Sequence, residues 1–401
     1  METFFPLALI VLTVPLTGGL MAATPYLMPK RECFAVTVPE SANADPQIKA
    51  LKSRYACTVA ALTVAFTLLA SIATVPLTRA SYSEADANVL IGAIALLALI
   101  PIAVSFGLML RNRRRVMAIK RERGWHAPRQ QAAALVAEGD IPGPVSLAWN
   151  LLYLPVMLFV AALGVMWYPL MPDMIPMHAD FAGNVNDYSP KSPWSVSFPL
   201  IVIVFLCVTF VLCHWSMTRS KRPTNPSAPM TSALAYGLFV RAQSILLLAC
   251  GLILSLTLGV AFMASAVGFI TLNAAAAIIC MACVPIVIGS LILAVVYGQN
   301  GSRLFKHMEA AGAARTSVAA GVPVSTGSGT LDTDMSLMLF DDDAHWKLGI
   351  FYFNPDDASL WLPERFGIGW TMNFARPAAW AFIGGFVLLL VLFVVLCFAI
   401  T

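Results

Sequence analysis

Long uncharged runs alternate along the chain with short polar segments. Residues 3–29, 55–78, 87–110, 141–172, 192–218, 242–302 and 377–401 contain no Asp, Glu, Lys or Arg. About 20 apolar helical residues cross the hydrocarbon core of a bilayer, so each run can hold a span. The 61-residue run at 242–302 must hold two, with Gly268 and Asn273 marking the turn between them. The pattern predicts an all-α polytopic membrane protein of about eight transmembrane helices, at 4–25, 55–77, 88–110, 148–170, 197–217, 240–264, 273–298 and 379–400. The first is expected to be a span, not a cleaved leader, because it lacks a basic n-region and its apolar run is too long. Pro15, Pro76, Pro101, Pro155, Pro169, Pro199 and Pro285 fall in or beside spans. Bilayer helices tolerate proline where neighbours satisfy the freed carbonyls.

The polar segments divide the chain further. Residues 1–147 form a three-span region and 148–217 a two-span region with an external loop at 171–196. Spans six and seven occupy 218–300, and 301–335, rich in Ala, Gly, Ser and Thr, reads as a flexible linker. Residues 336–377 form a small β-rich cytoplasmic cap, and 378–401 hold the last span. In the cap, aromatics give Trp346–Phe353 strand character. Asn354-Pro355-Asp356-Asp357 is a turn, and Ser359–Leu362 is expected to return as the partner strand. Near the N-terminus, CFAVTVP is strand-like, and Asp45-Pro46 starts an amphipathic helix.

Composition agrees and adds orientation. The chain is 59% hydrophobic and 11% charged, against roughly 25% charged in soluble domains, which excludes a water-soluble globule and a disordered chain. Seven of the eight cysteines lie in or beside apolar stretches and read as small core residues, whereas Cys33 sits in a polar segment. The loops 27–54, 111–147, 218–231 and 299–377 carry 22 of the 25 Lys and Arg, and the opposite set carries only Arg79 and Lys191. Positive charge marks the cytoplasmic side, so both termini are expected outside. The basic helix extension after Arg111 is a contact for anionic lipid. The net charge of +4 follows from this anchoring and gives no reason to expect direct nucleic-acid binding.

Chemistry is sparse. The zinc, nucleophile-elbow and phosphate-loop motifs are absent, and no cofactor or resident metal is indicated. Cys280 and Cys283 have redox spacing but sit in an apolar span, where packing is the simpler role. In the external loop, His178 with Asp173, Asp180 and Asp187 forms either a proton or metal site or a structural loop. The run Asp341-Asp342-Asp343 with His345 reads as a solvated turn or cap, with weak cation binding as the other reading. Arg241, at the edge of span six, is either a functional intramembrane charge or a snorkelling side chain. His214 is expected at the interface. Cap residues singled out are Trp346, Phe353, Asp356, Asp357, Trp370 and Asn373.

Two passages resemble a known family. Pro172, Ile175, Pro176, His178, Gly183, Asp187 and Lys191 keep the order of the external-loop motif of the bacterial SdpI-like membrane family. The segment 341–377, with FYFNPDD and ERFGIGWTMNFARP, is similar to a second uncharacterised domain of its longer members, and the TPYL–CFAVTVPE passage fits them too. The resemblance implies a bacterial inner-membrane protein of the immunity or signalling type. Such a protein protects against an extracellular peptide, and relatives can tether a repressor at the membrane. On this reading His178, Asp187, Lys191, Pro176 and Gly183 face an extracellular peptide or small-molecule ligand, and the cap engages a cytoplasmic protein. The alternatives are a transporter or exporter of a small amphipathic molecule and, further off, a membrane enzyme using His178.

Overall fold

The structure is a computed structural model that describes residues 4–74, 84–127, 141–179, 185–222, 225, 228–319, 338, 341–367 and 369–400. Nine α-helices carry the described architecture: α1 (Phe4–Leu27), α2 (Pro46–Thr74), α3 (Glu84–Glu122), α4 (Tyr153–Trp167), α5 (Pro193–Thr218), α6 (Pro229–Val267), α7 (Leu272–Tyr297), α8 (Ser302–Ala319) and α9 (Pro377–Ile400). Helices dominate because lipid offers no partner for backbone N–H and C=O groups, and a helix satisfies them internally.

Six helices among the described residues are long and apolar enough to cross a membrane, which makes the chain a multi-pass membrane protein. The six lie at Pro46–Ala73, Leu147–Leu170, Pro193–Thr218, Pro229–Val267, Leu272–Gly312 and Pro377–Ala399, so the expected eight is corrected to six. The expected first and third spans do form the helices α1 and α3. The side chains of 4–13 and of most of 81–98 lie outside the described residues, and neither helix is among the six.

Local signals set several boundaries. Ser192 caps α5 through a capping box with Ser195, and Pro193 takes the first helical turn, where its missing N–H is harmless. Gly268, at φ +86°, ends α6, and the Thr271 hydroxyl accepts from Ala274 N at 3.2 Å to start α7. The reversal is therefore Gly268 to Thr271, and Asn273 belongs to α7. The linker expected at 301–335 is corrected in its first part. Ser302–Ala319 is helical, as its Ala-rich composition favours, and 320–337 lie outside the described residues.

Among the described residues, strands occur only as short antiparallel pairs. β1 (Glu32–Cys33) pairs with β2 (Val36–Thr37), and β3 (Met174–Ala179) with β4 (Val185–Pro190). β5 (Trp346–Lys347) pairs with β6 (Phe351–Tyr352), and β7 (Trp361–Pro363) with β8 (Trp370–Met372). The expected cap pairing is corrected: Trp346–Phe353 folds back on itself, and Trp361–Pro363 finds its partner beyond the Gly367–Gly369 bend. Leu348 and Gly349 both take positive φ and close the tighter turn. Cys33, read as polar-segment, is fully buried with Phe34, Val36, Ile48 and Tyr55 against α3.

α4 and α6 approach closely along a small-residue stripe. A Cβ added at Gly251 would stand 2.0 Å from Tyr153 Oη, and one at Gly259 would stand 2.4 Å from Val160 Cγ2. Ser255, between them on the same face, is fully buried. Small residues four apart let bilayer helices gain dispersion contacts where no hydrophobic drive exists. Gly259→Val should lower stability by about 1–3 kcal/mol through overpacking, read as a drop in thermal unfolding temperature in detergent. Gly107→Val, where an added Cβ meets nothing within 4 Å, should leave it nearly unchanged.

Candidate functional site

The four polar segments that charge assigns to one side of the membrane meet in one assembly. Its centre is Arg365, with a side chain 4% exposed. Its Nη1 donates to Asp343 Oδ1 at 2.5 Å and to the Ala35 carbonyl at 3.2 Å. Its Nη2 donates to Thr37 Oγ1 at 2.8 Å and to Asp342, and the guanidinium lies 5.1 Å from the Trp346 ring centroid. Asp343 also accepts from Thr37 N at 2.9 Å and from Lys120 Nζ at 2.7 Å, and Lys120 pairs with Asp341 at 2.6 Å. The Asp341–Asp343 run opens a short helical turn, with Asp341 Oδ1 accepting from Asp343 N at 3.1 Å, and its carboxylates pair with Arg365 and Lys120.

This cluster also holds an unfavourable backbone turn. Phe34 and Ala35, between β1 and β2, both have positive φ (47° and 59°), a conformation costly for residues with a Cβ. Arg113 and Arg365 both donate to the Ala35 carbonyl, and Phe34 stacks on Phe366 at 6.0 Å.

A second polar knot anchors the cap to α5. Lys221 Nζ pairs with Asp357 Oδ2 at 2.6 Å, and Tyr352 Oη donates to the same oxygen at 3.0 Å. Asn373, fully buried, donates from Nδ2 to the carbonyls of Asn354 (2.8 Å) and Asp357 (2.9 Å). Its Oδ1 accepts from Asn354 N at 3.0 Å and from Ala375 N at 3.2 Å. Trp370 stacks on Phe239 of α6 at 6.2 Å. Trp346, Asp357, Trp370 and Asn373 are therefore brought together as structure. Phe353 is corrected: it is 47% exposed, and strand alternation buries Tyr352 instead. Asp356 is also exposed, its N–H donating to Asn354 Oδ1 at 2.9 Å in a side-chain turn.

At the far end of α5 lies the β3–β4 hairpin. The 26 residues of α5 separate the two ends by roughly 39 Å at 1.5 Å per residue. Ile175 is fully buried in the α4–α6 core, whereas Pro176 is half-buried opposite Tyr188. His178 is exposed, and its Nδ1 lies 2.5 Å from Asn186 Oδ1. Asp187, also exposed, stands opposite His178 in register. Lys191 closes the hairpin base, donating from Nζ to the Met171 carbonyl at 2.9 Å and covering the Tyr168 ring at 4.8 Å. Gly183, Asn184 and Asp180 lie outside the described residues. Among the described residues no three His, Cys, Asp or Glu side chains converge as a metal site.

Two further assignments change or sharpen. His214, expected at the interface, is 1% exposed. Its Nε2 lies 2.9 Å from the Val145 carbonyl, which can only accept, so Nε2 carries the proton and Nδ1 accepts from Asn150 Nδ2 at 3.0 Å. A Cβ on Gly237 would stand 2.1 Å from the Pro142 carbonyl, so the extended 141–146 segment lies directly on α6. Arg241 is exposed twelve residues into α6, which begins at Pro229, as a snorkelling residue would be. Sequence reading missed Arg365, Lys120 and Asn150. The available signal was a row of three carboxylates beside dense aromatics, which needs matching cations once it is buried.

Electrostatics follow from this packing. Burial alone would raise the Asp343 carboxyl, but Arg365 and Lys120 outweigh it and hold it at about 2. Asp357 is likewise held at about 2, against burial, by Lys221 and the Ser359 N–H. Burial pushes Glu32 up to about 7, with Arg365 opposing and Asp342 and Asp343 adding, and it pushes Glu364 up to about 6. Lowered carboxyls contribute stability that is present above about pH 4 and lost as pH falls toward 2. Raised ones contribute stability that is present below about pH 4.5 and lost as pH rises through the folded value. Glu32→Gln should therefore remove part of the loss in cap stability between about pH 5 and 8, measured by protease protection of 341–367. Arg365→Ala leaves Asp342 without a counter-ion and Asp343 with Lys120 alone, and should cost about 3–5 kcal/mol, read as loss of that protection at neutral pH.

Comparison with known families falls on both ends of this architecture. Residues 155–203, which span α4, the hairpin and the start of α5, match a domain of unknown function, DUF1648. Residues 355–380, which hold Asp357 and Asn373 of the second polar knot, β7, β8 and the start of α9, match a family of unknown function, DUF5808. No curated protein and no solved structure matches the chain. The chain is thus similar to two uncharacterised families over two short regions, one at each end of α5.

Proposed function

We propose that this is a bacterial inner-membrane protein of the immunity or signalling type, which senses or excludes an extracellular peptide or amphipathic compound. One observation carries the reading: the helices that seat the external hairpin also seat the cap. Ile175 packs into the α4–α6 core at one end, while Lys221 and Phe239, at the other, hold Asp357 and Trp370. A ligand that shifts the hairpin would tilt α5 and α6 and so load the cap contacts, where a cytoplasmic protein such as a repressor would dock. His178 and Asp187, exposed and opposite one another, are the groups offered to the ligand. The basic asymmetry of the loops supports an orientation with the hairpin and both termini outside.

Transport is the second reading. An apolar recess of about 490 Å³, lined by Phe159, Leu256, Val260, Ala264, Ile270 and Ile278, opens between α4, α6 and α7 and suits a lipid-soluble molecule.

A synthetic Leu/Lys amphipathic helical peptide separates the readings. Cells that express the chain should survive a dose that kills cells without it. His178→Ala with Asp187→Ala should remove the protection at unchanged abundance, and vesicles should show no flux of the peptide. Protein-dependent flux would favour transport, and full protection by the double variant would remove the hairpin from the mechanism. Tyr188→Cys should react with an impermeant thiol reagent only from outside, and Arg222→Cys only from inside. Labelling of both from one face would overturn the orientation.

A further inference from the structure

Apart from the ion pairs of the cap, a group of cations stands where the apolar helices end. Ser302 Oγ, at the start of α8, donates to the carbonyl of Leu27, the last residue of α1, at 3.4 Å. Lys30, just past α1, and Arg303 and Lys306, in the first turns of α8, therefore stand at one level. Asn43 adds Lys52 to the group: its Nδ2 donates to the Lys30 carbonyl at 2.5 Å, and its Oδ1 accepts from Lys52 Nζ at 2.8 Å. Lys306 lies within electrostatic reach of Lys30, Lys52 and Arg303, and of one carboxylate, Glu40. Glu40 already pairs with Arg31 at 3.1 Å.

Among the described residues, the four cations lack matching anions. None of them has a salt bridge among the described residues, although Lys52, Arg303 and Lys306 are half-buried. Like charges partly withdrawn from water repel more strongly than exposed ones. Such a group is stable when an anion with several acceptor oxygens sits among its members. Immediately below it, Tyr26, Val295 and Val296 expose apolar side chains, each about half accessible, on the adjoining ends of α1 and α7. A phosphate with attached acyl chains meets both demands at once, whereas a free phosphate meets only the first.

We propose that Lys30, Lys52, Arg303 and Lys306 bind the phosphate headgroup of an anionic phospholipid, with its acyl chains lying on α1 and α7. The lysines act as point charges. Arg303, one of whose donors is spent on the Val295 carbonyl at 2.7 Å, keeps others for phosphate oxygens. The site goes beyond the sensing reading and does not depend on it. It requires only that the helices span a bilayer.

The test uses the full chain in vesicles of phosphatidylcholine, with and without phosphatidylglycerol, and reads thermal unfolding by tryptophan fluorescence. Phosphatidylglycerol should raise the unfolding temperature by about 3 °C or more. The double variant Lys30→Gln/Lys306→Gln, whose ammonium groups make no hydrogen bond among the described residues, should lose at least half of that rise. In pure phosphatidylcholine it should be as stable as the parent or more so, because like-charge repulsion is relieved. Lys347→Gln, which removes an exposed cation of the cap, should keep the rise. A full rise in the Lys30/Lys306 variant, or its destabilisation in phosphatidylcholine, would overturn the site. An equal rise from inorganic phosphate in phosphatidylcholine vesicles would assign the cations to a soluble anion and overturn the lipid.

Discussion

A guanidinium withdrawn from water is costly unless charges and acceptors surround it, and Arg365 is surrounded from three parts of the chain. The β1–β2 hairpin supplies Thr37 and the Ala35 carbonyl, the cap supplies Asp342 and Asp343, and α3 enters through Lys120 on the shared Asp343. Removing Arg365 leaves Asp342 a carboxylate without its counter-ion, which costs more than the pair contributes. The cluster therefore acts as a registry device: it fixes which hairpin face meets which helix end. The left-handed turn at Phe34 and Ala35 persists because its carbonyl is taken by two arginines.

Within the bilayer the forces differ. Helix association there rests on close packing, and the stripe of Gly251, Ser255 and Gly259 brings α4 against α6 near enough for dispersion to matter. That tight pair, with α5, holds Ile175 at one end. The polar knot of Lys221, Asp357, Tyr352 and Asn373 holds the cap at the other. The helices are thus held at both ends, by an apolar plug at one and by a polar knot at the other. The two stretches matched by uncharacterised families include Ile175 of one anchor and Asp357 and Asn373 of the other.

The membrane character was legible in the sequence, and so was the grouping of polar segments. Hydropathy is a local, additive property, so uncharged runs translate directly into helices such as α5 and α9. Counting Lys and Arg placed 27–54, 111–147, 218–231 and 299–377 on one side, and Thr37, Lys120, Lys221 and Asp357 do meet there. Turn chemistry at Gly268 and the capping box at Ser192 were equally local. What only the tertiary structure decided was the partner of each polar group. Thr37 and Asp343 are 306 residues apart, and nothing in either segment announces the other. The same holds for the choice of Tyr352 over Phe353 as the buried aromatic, for the pairing of β7 with β8, and for the burial of His214 beside Asn150. Each depends on which surface arrives opposite, and a buried charge or hydrogen-bonding group acquires its meaning only from the group that neutralises it.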